Sequence, residues 1–241
     1  ATSSPPIIQR MARSASAKSA RYCTNRMSAE KNALRVTPAS NSTLVDNPRR
    51  CDEARLLAAD SCLSRYDALM DRYEPGVRAA DIDRIFSEVK QWLPGLISRI
   101  QTKQRDEKVI APAGPFPVEK QRALNHAVMT LLGFDFDGGR LDESAHPFTG
   151  GVPEDIRLTT RYREDDFVQS LMGTIHETGH ARFEQNLPRE WLGQPIAQAR
   201  SYGIHESQSL SFEMQLARGR AFAGLLAPLL RKQFGAQAAF E

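Results

Sequence analysis

The sequence predicts a mainly α-helical protein with one small β element directly before a central helix. Aromatic residues make up only 7% of the 241 residues, while alanine, leucine, arginine, glutamate and glutamine are frequent. This composition favours helices over sheets, and apolar residues recur at helical spacing in several long segments. Residues 155–162 differ, because Ile156 and Leu158 alternate there with polar neighbours at the period of a half-buried strand.

The first 50 residues differ from the rest of the chain in charge and in pattern. They hold nine lysines and arginines against Glu30 and Asp46, show no sustained periodicity and contain several residues that break regular structure. We therefore expect a basic, poorly ordered segment over residues 1–50. The basic, Ser- and Ala-rich composition of residues 1–25 also fits a transit peptide, although a degenerate N-terminus would have the same composition.

Residues 51–111 are predicted to form a helical subdomain. Apolar residues share one helical face over residues 51–72 and again over residues 79–104. Pro94 lies inside the second of these helices and should kink or break it. The Pro- and Gly-rich residues 110–117 then mark the boundary to the next region.

The second predicted region, residues 112–241, contains the chemical motifs. A helix is predicted over residues 118–132 and a Gly- and Asp-rich loop over residues 133–151. After the predicted strand, the acidic run 164–166 suits the positive N-terminal end of a further helix. Apolar residues follow at a spacing of four, so this helix has a face to bury.

Two histidines on this helix indicate a metal site. His176 and His180 are one helical turn apart, so both imidazoles project from one face and can bind one ion. Glu177 lies about 100° around the helix, which is the position of the general base in HExxH peptidases. The alternative is a surface helix with two solvated histidines. The apolar residues Val168 and Met172 on the same ridge argue against it.

A catalytic zinc needs a third protein ligand and an open position. The candidates downstream are Glu184, His205, Glu206 and Glu213. Glu184 lies roughly 12 Å along the helix axis from His176, so we expect it to be solvated. A predicted helix over residues 204–220 has Glu206 in its first turn, and spacing favours Glu206 over His205.

Composition excludes some classes of function. A net charge of +3 is too small to indicate nucleic-acid binding. No apolar run approaches the ~20 residues of a membrane helix, so we expect no membrane association. Three cysteines, Cys23, Cys51 and Cys62, form no CxxC pair, which indicates reduced thiols and a cytoplasmic protein.

Four ordered motifs within residues 61–235 resemble the carboxypeptidase Taq family of metallocarboxypeptidases. The metal motif of that family corresponds to His176-Glu177-Thr178-Gly179-His180. Its HPF motif is similar to His146-Pro147-Phe148, and its DxRxT motif is similar to Asp155-Ile156-Arg157-Leu158-Thr159. Its HES(Q/G) motif, whose glutamate is the third metal ligand, is similar to His205-Glu206-Ser207-Gln208.

The resemblance implies a helical, zincin-like metallopeptidase that removes C-terminal residues from peptides and forms a homodimer. It implies Zn²⁺, with Co²⁺ as a possible substitute, bound by His176, His180 and Glu206, and Glu177 as the general base. It also implies roles in substrate binding or in supporting the ligands for His146, Asp155, Arg157, Thr159, His205 and Gln208. For Asp155 with Arg157 the simpler alternative is a structural ion pair, and for His146 it is an ordinary loop histidine.

The chain departs from the family at its end. An arginine-containing segment and a Gln-Asp-x-His-Trp segment, which help the family to bind the substrate's C-terminus, have no counterpart before Glu241. We therefore expect a fragment or truncated product that is a poor carboxypeptidase on its own. A metal-binding remnant with weak or no activity stays an alternative, as does an endopeptidase or aminopeptidase with the same ligands.

Overall fold

The computed structural model describes residues 48–241 and confirms a mainly α-helical protein with a small sheet before the helix that carries the two histidines. The predicted basic segment lies outside the described residues, except for residues 48–50, which begin the first helix. The α-helices are α1 Pro48–Ser61, α2 Arg65–Met70, α3 Ala79–Arg105, α4 Val118–Leu131, α5 Phe167–Gln185, α6 Tyr202–Leu210 and α7 Arg220–Phe234. The strands are β1 Gly139–Glu143, β2 Thr149–Val152 and β3 Asp155–Thr160, and 3-10 turns span Arg189–Trp191, Pro195–Ala197 and Ala238–Phe240.

Backbone contacts divide the described chain into two compact units. One unit comprises residues 48–108 with 200–202, and the other comprises residues 109–199 with 203–241. The division into a helical subdomain over residues 51–111 and a catalytic region over residues 112–241 remains a prediction about function.

The first unit shows two departures from the predicted helices. The single helix predicted over residues 51–72 is wrong, because Cys62 has a φ of 56°, a left-handed conformation that ends α1. Ser64 then caps α2 through a hydrogen bond from the amide of Asp67 to its Oγ. Of the kink or break predicted at Pro94, the break is wrong, since α3 continues through this residue; proline removes only one hydrogen bond from this long ladder.

Helix α3 has no buried residue in the described structure. Its apolar face, predicted from the periodicity, includes Ile85, Phe86 and Trp92, which are 48%, 39% and 55% exposed. The pattern correctly predicted the helix, and the described residues leave this face open.

The second unit contains a three-stranded sheet in the order β1-β3-β2, with β1 parallel and β2 antiparallel to β3. The loop predicted over residues 133–151 is therefore wrong for residues 139–143, which form β1, and for residues 149–151, which belong to β2. Both strands are short and rich in glycine or polar residues, so they lack a periodic signal of their own. Pairing with β3 provides the hydrogen bonds that make them strands.

Helix α5 is the centre of the second unit. Asp166 caps it, accepting hydrogen bonds from the amides of Val168 and Gln169, so the acidic start predicted for this helix is confirmed. Apolar side chains of α5 pack with those of α4 and α7 in the main core: Leu124, Val128, Phe167, Leu171, Ile175, Leu226 and Leu230. On the sheet side, Thr160 of β3 donates a hydrogen bond to the carbonyl of Ser170.

The helix predicted over residues 204–220 is not continuous. After α6 the backbone forms a π-helical turn, Ser211–Leu216, and α7 begins only at Arg220. The residues predicted to point inward are mostly exposed, with Ile204 at 55%, Leu210 at 39% and Met214 at 40%. Ala217 alone among them is buried.

None of the helices in residues 48–241 combines the length and the apolarity required to cross a bilayer.

Candidate metal centre

The site forms where α5 and α6 approach each other, at Gly179. A Cβ placed on Gly179 would lie 2.6 Å from Cα of Ser209 and 2.8 Å from the carbonyl oxygen of Gln208. These distances are too short for any side chain. The absence of a side chain at Gly179 thus lets the backbone of α6, which carries Glu206, pack directly on the histidine-bearing helix.

Three side chains present ligand atoms within 4.8 Å of one another: His176, His180 and Glu206. Nε2 of His180 lies 3.3 Å from Oε2 of Glu206, and Nε2 of His176 lies 3.6 Å from Oε1. Tetrahedral zinc with ligand bonds of 2.0–2.2 Å would separate its ligand atoms by about 3.3–3.6 Å. The two distances to Glu206 and the His₂Glu donor set therefore fit a divalent ion of the zinc type.

Glu213 supports His176 from the side away from Glu206. Its Oε2 lies 3.1 Å from Nδ1 of His176, while Arg218 donates a 2.9 Å hydrogen bond to its other oxygen. Sequence reasoning considered Glu213 only as a ligand. The π-helical turn positions it instead as a hydrogen-bond acceptor for the imidazole of His176, a predicted ligand.

The charges around His176 and Glu213 are coupled. Burial works against protonation of His176, but the hydrogen bond to Glu213 and the neighbouring carboxylates raise the pKa of His176 on balance. Burial also disfavours the charged form of Glu213, yet the hydrogen bond from His176 and the charge of Arg218 lower the pKa of Glu213 overall. Glu213 is therefore an anion that favours a positively charged centre beside it.

His180 is supported by a longer chain of side chains. Its Nδ1 lies 2.6 Å from Nδ1 of His205, and Nε2 of His205 lies 2.7 Å from Oε1 of Glu184. The prediction that Glu184 is solvated is wrong, since its side chain is 22% exposed and paired with His205. Burial, together with the charges of His176 and His205, lowers the pKa of His180 to about 4, so its imidazole is neutral near pH 7.

Glu177 is buried beside the three predicted ligands. Its Oε2 accepts a 2.7 Å hydrogen bond from the hydroxyl of Thr149 in β2, and the residue is 7% exposed. Burial raises the pKa of Glu177 more than the Thr149 hydrogen bond lowers it. Sequence reasoning missed Thr149, although it directly follows His146-Pro147-Phe148.

Of the remaining predicted site residues, His146 and Thr159 lie directly before β2 and on β3, whereas Gln208 lies on α6. Thr159 is buried, and its Oγ1 accepts a hydrogen bond from the amide of Phe148 and contacts the carbonyl of His146. Thr159 thus holds the backbone segment that precedes Thr149. The side chain of His146 is exposed, and the amide of Gln208 donates to Ser207 at 3.3 Å.

Asp155 and Arg157 form an exposed ion pair at the start of β3. Both Nε and an outer nitrogen of Arg157 donate to Asp155, with the shortest contact at 2.7 Å. The Arg157 hydrogen bond lowers the pKa of Asp155. This geometry agrees with the structural ion pair considered as an alternative. The carboxylate of Asp155 occupies one side of the Arg157 guanidinium.

Replacing His176 or Glu206 with alanine is expected to abolish stoichiometric metal binding, because two ligands alone do not form a closed zinc site. The measurement is metal content per chain after equilibration with zinc and gel filtration, with Glu119→Ala, an exposed glutamate outside the site, as control. Stoichiometry unchanged from wild type in either variant would refute the ligand assignment.

Known proteins are similar to this chain over most of its length. The sequence model of the carboxypeptidase Taq (M32) metallopeptidase family matches residues 16–240, further toward the N-terminus than the motifs alone reached. Thermostable carboxypeptidase 1 of Thermus thermophilus is 44% identical over 172 residues, which are 70% of this chain and 33% of that protein. Carboxypeptidase 1 of Bacillus subtilis is 42% identical over 158 residues, covering 65% of this chain and 32% of that protein.

A solved structure is also similar. Metallocarboxypeptidase 1 of Trypanosoma cruzi superposes with a TM-score of 0.75 at 52% identity, covering 79% of this chain and 38% of that one. The chain therefore spans about a third of the length of the curated relatives that it matches. With a match across nearly the whole sequence, the chain belongs to the carboxypeptidase Taq (M32) family of metallopeptidases.

Proposed function

We propose that this chain carries the zinc-binding core of a metallocarboxypeptidase that hydrolyses the C-terminal peptide bond of peptides. The observation that supports this most directly is the buried carboxylate of Glu177 beside the set His176, His180 and Glu206. The curated relatives are named carboxypeptidases, which supports the choice among peptidase classes.

A divalent ion at this site would polarise the scissile carbonyl and acidify a water molecule. Glu177 accepts the proton of that water and passes it to the departing amine. Burial favours this shuttle, because it raises the pKa of Glu177 and so makes the carboxylate a better proton acceptor. The hydroxyl of Thr149 holds one carboxylate oxygen and leaves the other for the water.

The ligand set supports Zn²⁺ as the resident ion, with Co²⁺ as a substitute, because two imidazoles and one carboxylate suit both. His146, Asp155, Arg157, Thr159 and Gln208 are proposed to line or support the substrate site. Of these, Thr159 has the clearest structural basis, since it fixes the segment leading to Thr149. A homodimer and a cytoplasmic location complete the proposal; the unpaired thiols of Cys51 and Cys62 fit a reducing compartment.

The proposal is tested with an N-blocked dipeptide, from which a carboxypeptidase releases the terminal amino acid. The same peptide with an amidated C-terminus is the control, because a carboxypeptidase needs the free carboxylate whereas an endopeptidase does not. Metal-dependent release from the free-acid substrate alone supports the proposal. Equal cleavage of both substrates would contradict it.

The second candidate is a metal-binding remnant with weak or no activity. It is favoured by the fact that the match covers only about a third of the length of each curated relative. Recognition of a free C-terminus needs a cation aimed at it, and Arg157 is already engaged by Asp155. We expect turnover far below that of a full-length relative, because positioning contributes several kcal/mol to the barrier. Comparable turnover by the two proteins would show that the substrate site is complete within these residues.

A further inference from the structure

His205 lies across one turn of α5 and contacts three residues of it. Its Nδ1 is 2.6 Å from Nδ1 of His180, and its Nε2 is 2.7 Å from Oε1 of Glu184. The ring of Phe183 packs edge-on against it, with ring centroids 5.2 Å apart and planes at 83°. Residues three and four apart share one face of a helix, so this turn of α5 forms a cradle for the imidazole.

With both imidazoles neutral, the hydrogen-bonding chemistry of Glu184, His205 and His180 allows one arrangement of protons. A carboxylate only accepts hydrogen bonds, and a neutral imidazole has one donor and one acceptor nitrogen. Glu184 therefore requires the proton of His205 on Nε2, which leaves Nδ1 of His205 as an acceptor. His180 must then carry its proton on Nδ1, and its Nε2 has a free lone pair.

We propose that Glu184 and His205 are positioning residues that hold His180 in the one tautomer able to present Nε2 to a divalent ion. Nε2 of His180 is the nitrogen that lies 3.3 Å from Oε2 of Glu206. Glu184 thus acts on the metal site without entering it, through an intervening imidazole. The inference rests on the proposed metal site and assigns Glu184 a role that its distance from His176 had seemed to exclude.

The other ligand histidine is supported in a different way. Nδ1 of His176 reaches the carboxylate of Glu213 directly, so no imidazole intervenes. His205 and Glu184 are 23% and 22% exposed, which limits the competition of water for their mutual hydrogen bond. Without Glu184, His205 could therefore adopt either tautomer, and so could His180. His176 would keep its contact with Glu213.

Zinc affinity, measured by competition with a chromogenic chelator, tests the proposal. We expect Glu184→Ala and His205→Phe to weaken zinc binding 10–100-fold, the usual cost of removing a partner of a ligand histidine. Glu184→Gln keeps an acceptor oxygen and should recover most of the affinity. Glu190→Ala, an exposed glutamate beyond the end of α5, is the control, and circular dichroism establishes that each variant is folded.

The tautomers are read directly from ¹⁵N shifts of the imidazole nitrogens in the metal-free protein. We expect the proton on Nδ1 of His180 and on Nε2 of His205 in wild type, and mixed tautomers in Glu184→Ala. A wild-type His180 protonated on Nε2, or zinc affinity unchanged in Glu184→Ala, would overturn the proposal. If wild type binds no zinc, the proposed function fails, whereas the tautomers still decide the role of Glu184.

Discussion

Replacing Glu177 with glutamine is expected to lower peptide hydrolysis at least a hundredfold while metal binding is kept. General acid–base catalysis contributes about 10²–10⁴-fold, and an amide cannot accept the proton of a water. Glutamine preserves the size of the side chain and still accepts the hydrogen bond from Thr149. The buried site should therefore keep its shape.

The assay is best performed in a full-length relative that carries the matched substitution, beside metal content measured in this chain. Glu154→Gln, a change in an exposed glutamate between β2 and β3, is the control and should leave both quantities unchanged. Activity within tenfold of wild type in the Glu177→Gln protein would mean that another group is the base. Loss of metal from the variant would instead place Glu177 among the groups that hold the ion.

Replacing Gly179 with alanine is expected to remove tight metal binding altogether. The new methyl group would lie 2.6 Å from Cα of Ser209, and backbone cannot yield as a side-chain end can. Helix α6 must therefore shift, and Glu206 shifts with it away from the two histidines. Overpacking of this kind costs about 1–3 kcal/mol in stability, in addition to the loss of the ligand geometry.

Gly173→Ala provides a matched control on the same helix. Among the described residues, a Cβ at Gly173 would meet only Cγ of Pro147, at 3.8 Å, which is an ordinary contact. Alanine is favoured over glycine within helices by about 1 kcal/mol, so this variant should be as stable as wild type or more so, with normal zinc affinity. Thermal unfolding and zinc titration of the two variants decide the matter, and equal behaviour would refute the role given to Gly179.

The part of the site that sequence could predict is the part that depends on local spacing. His176, Glu177 and His180 follow from the pitch of a single helix, and Glu206 follows from the start of the next one. The resemblance of the motifs placed the chain in its family before any geometry was known. These predictions needed only the positions of residues along two helices.

The residues that sequence reasoning missed depend on tertiary contacts. Glu184 was judged by its distance from His176, whereas its partner is His205 on another helix. Thr149 lies on a strand that exists only because it pairs with β3. Glu213 owes its position to a π-helical turn for which the sequence carries no recognised signal.

The same limit applies to the fold. Helical periodicity correctly predicted α3, α4 and α5, whose apolar spacing is regular. It could not predict the left-handed Cys62 that separates α1 from α2, because a cysteine carries no preference for that conformation. The short strands β1 and β2 were not predicted for a related reason. Their stability comes from pairing with β3 rather than from their own composition.

The location of the predicted ligands on two helices would have a consequence for chain entropy. Once His180 and Glu206 hold the same ion, residues 181–205 become a closed loop, and the ion acts as a reversible cross-link between its ends. The entropic cost of closing such a loop grows only slowly with its length. The residues of the intervening 3-10 turns therefore add little to this entropic cost. Each tenfold rise in free metal above the dissociation constant stabilises the closed form by about 1.4 kcal/mol. If the predicted site binds its ion, the stability of this closed form therefore depends on the concentration of free metal.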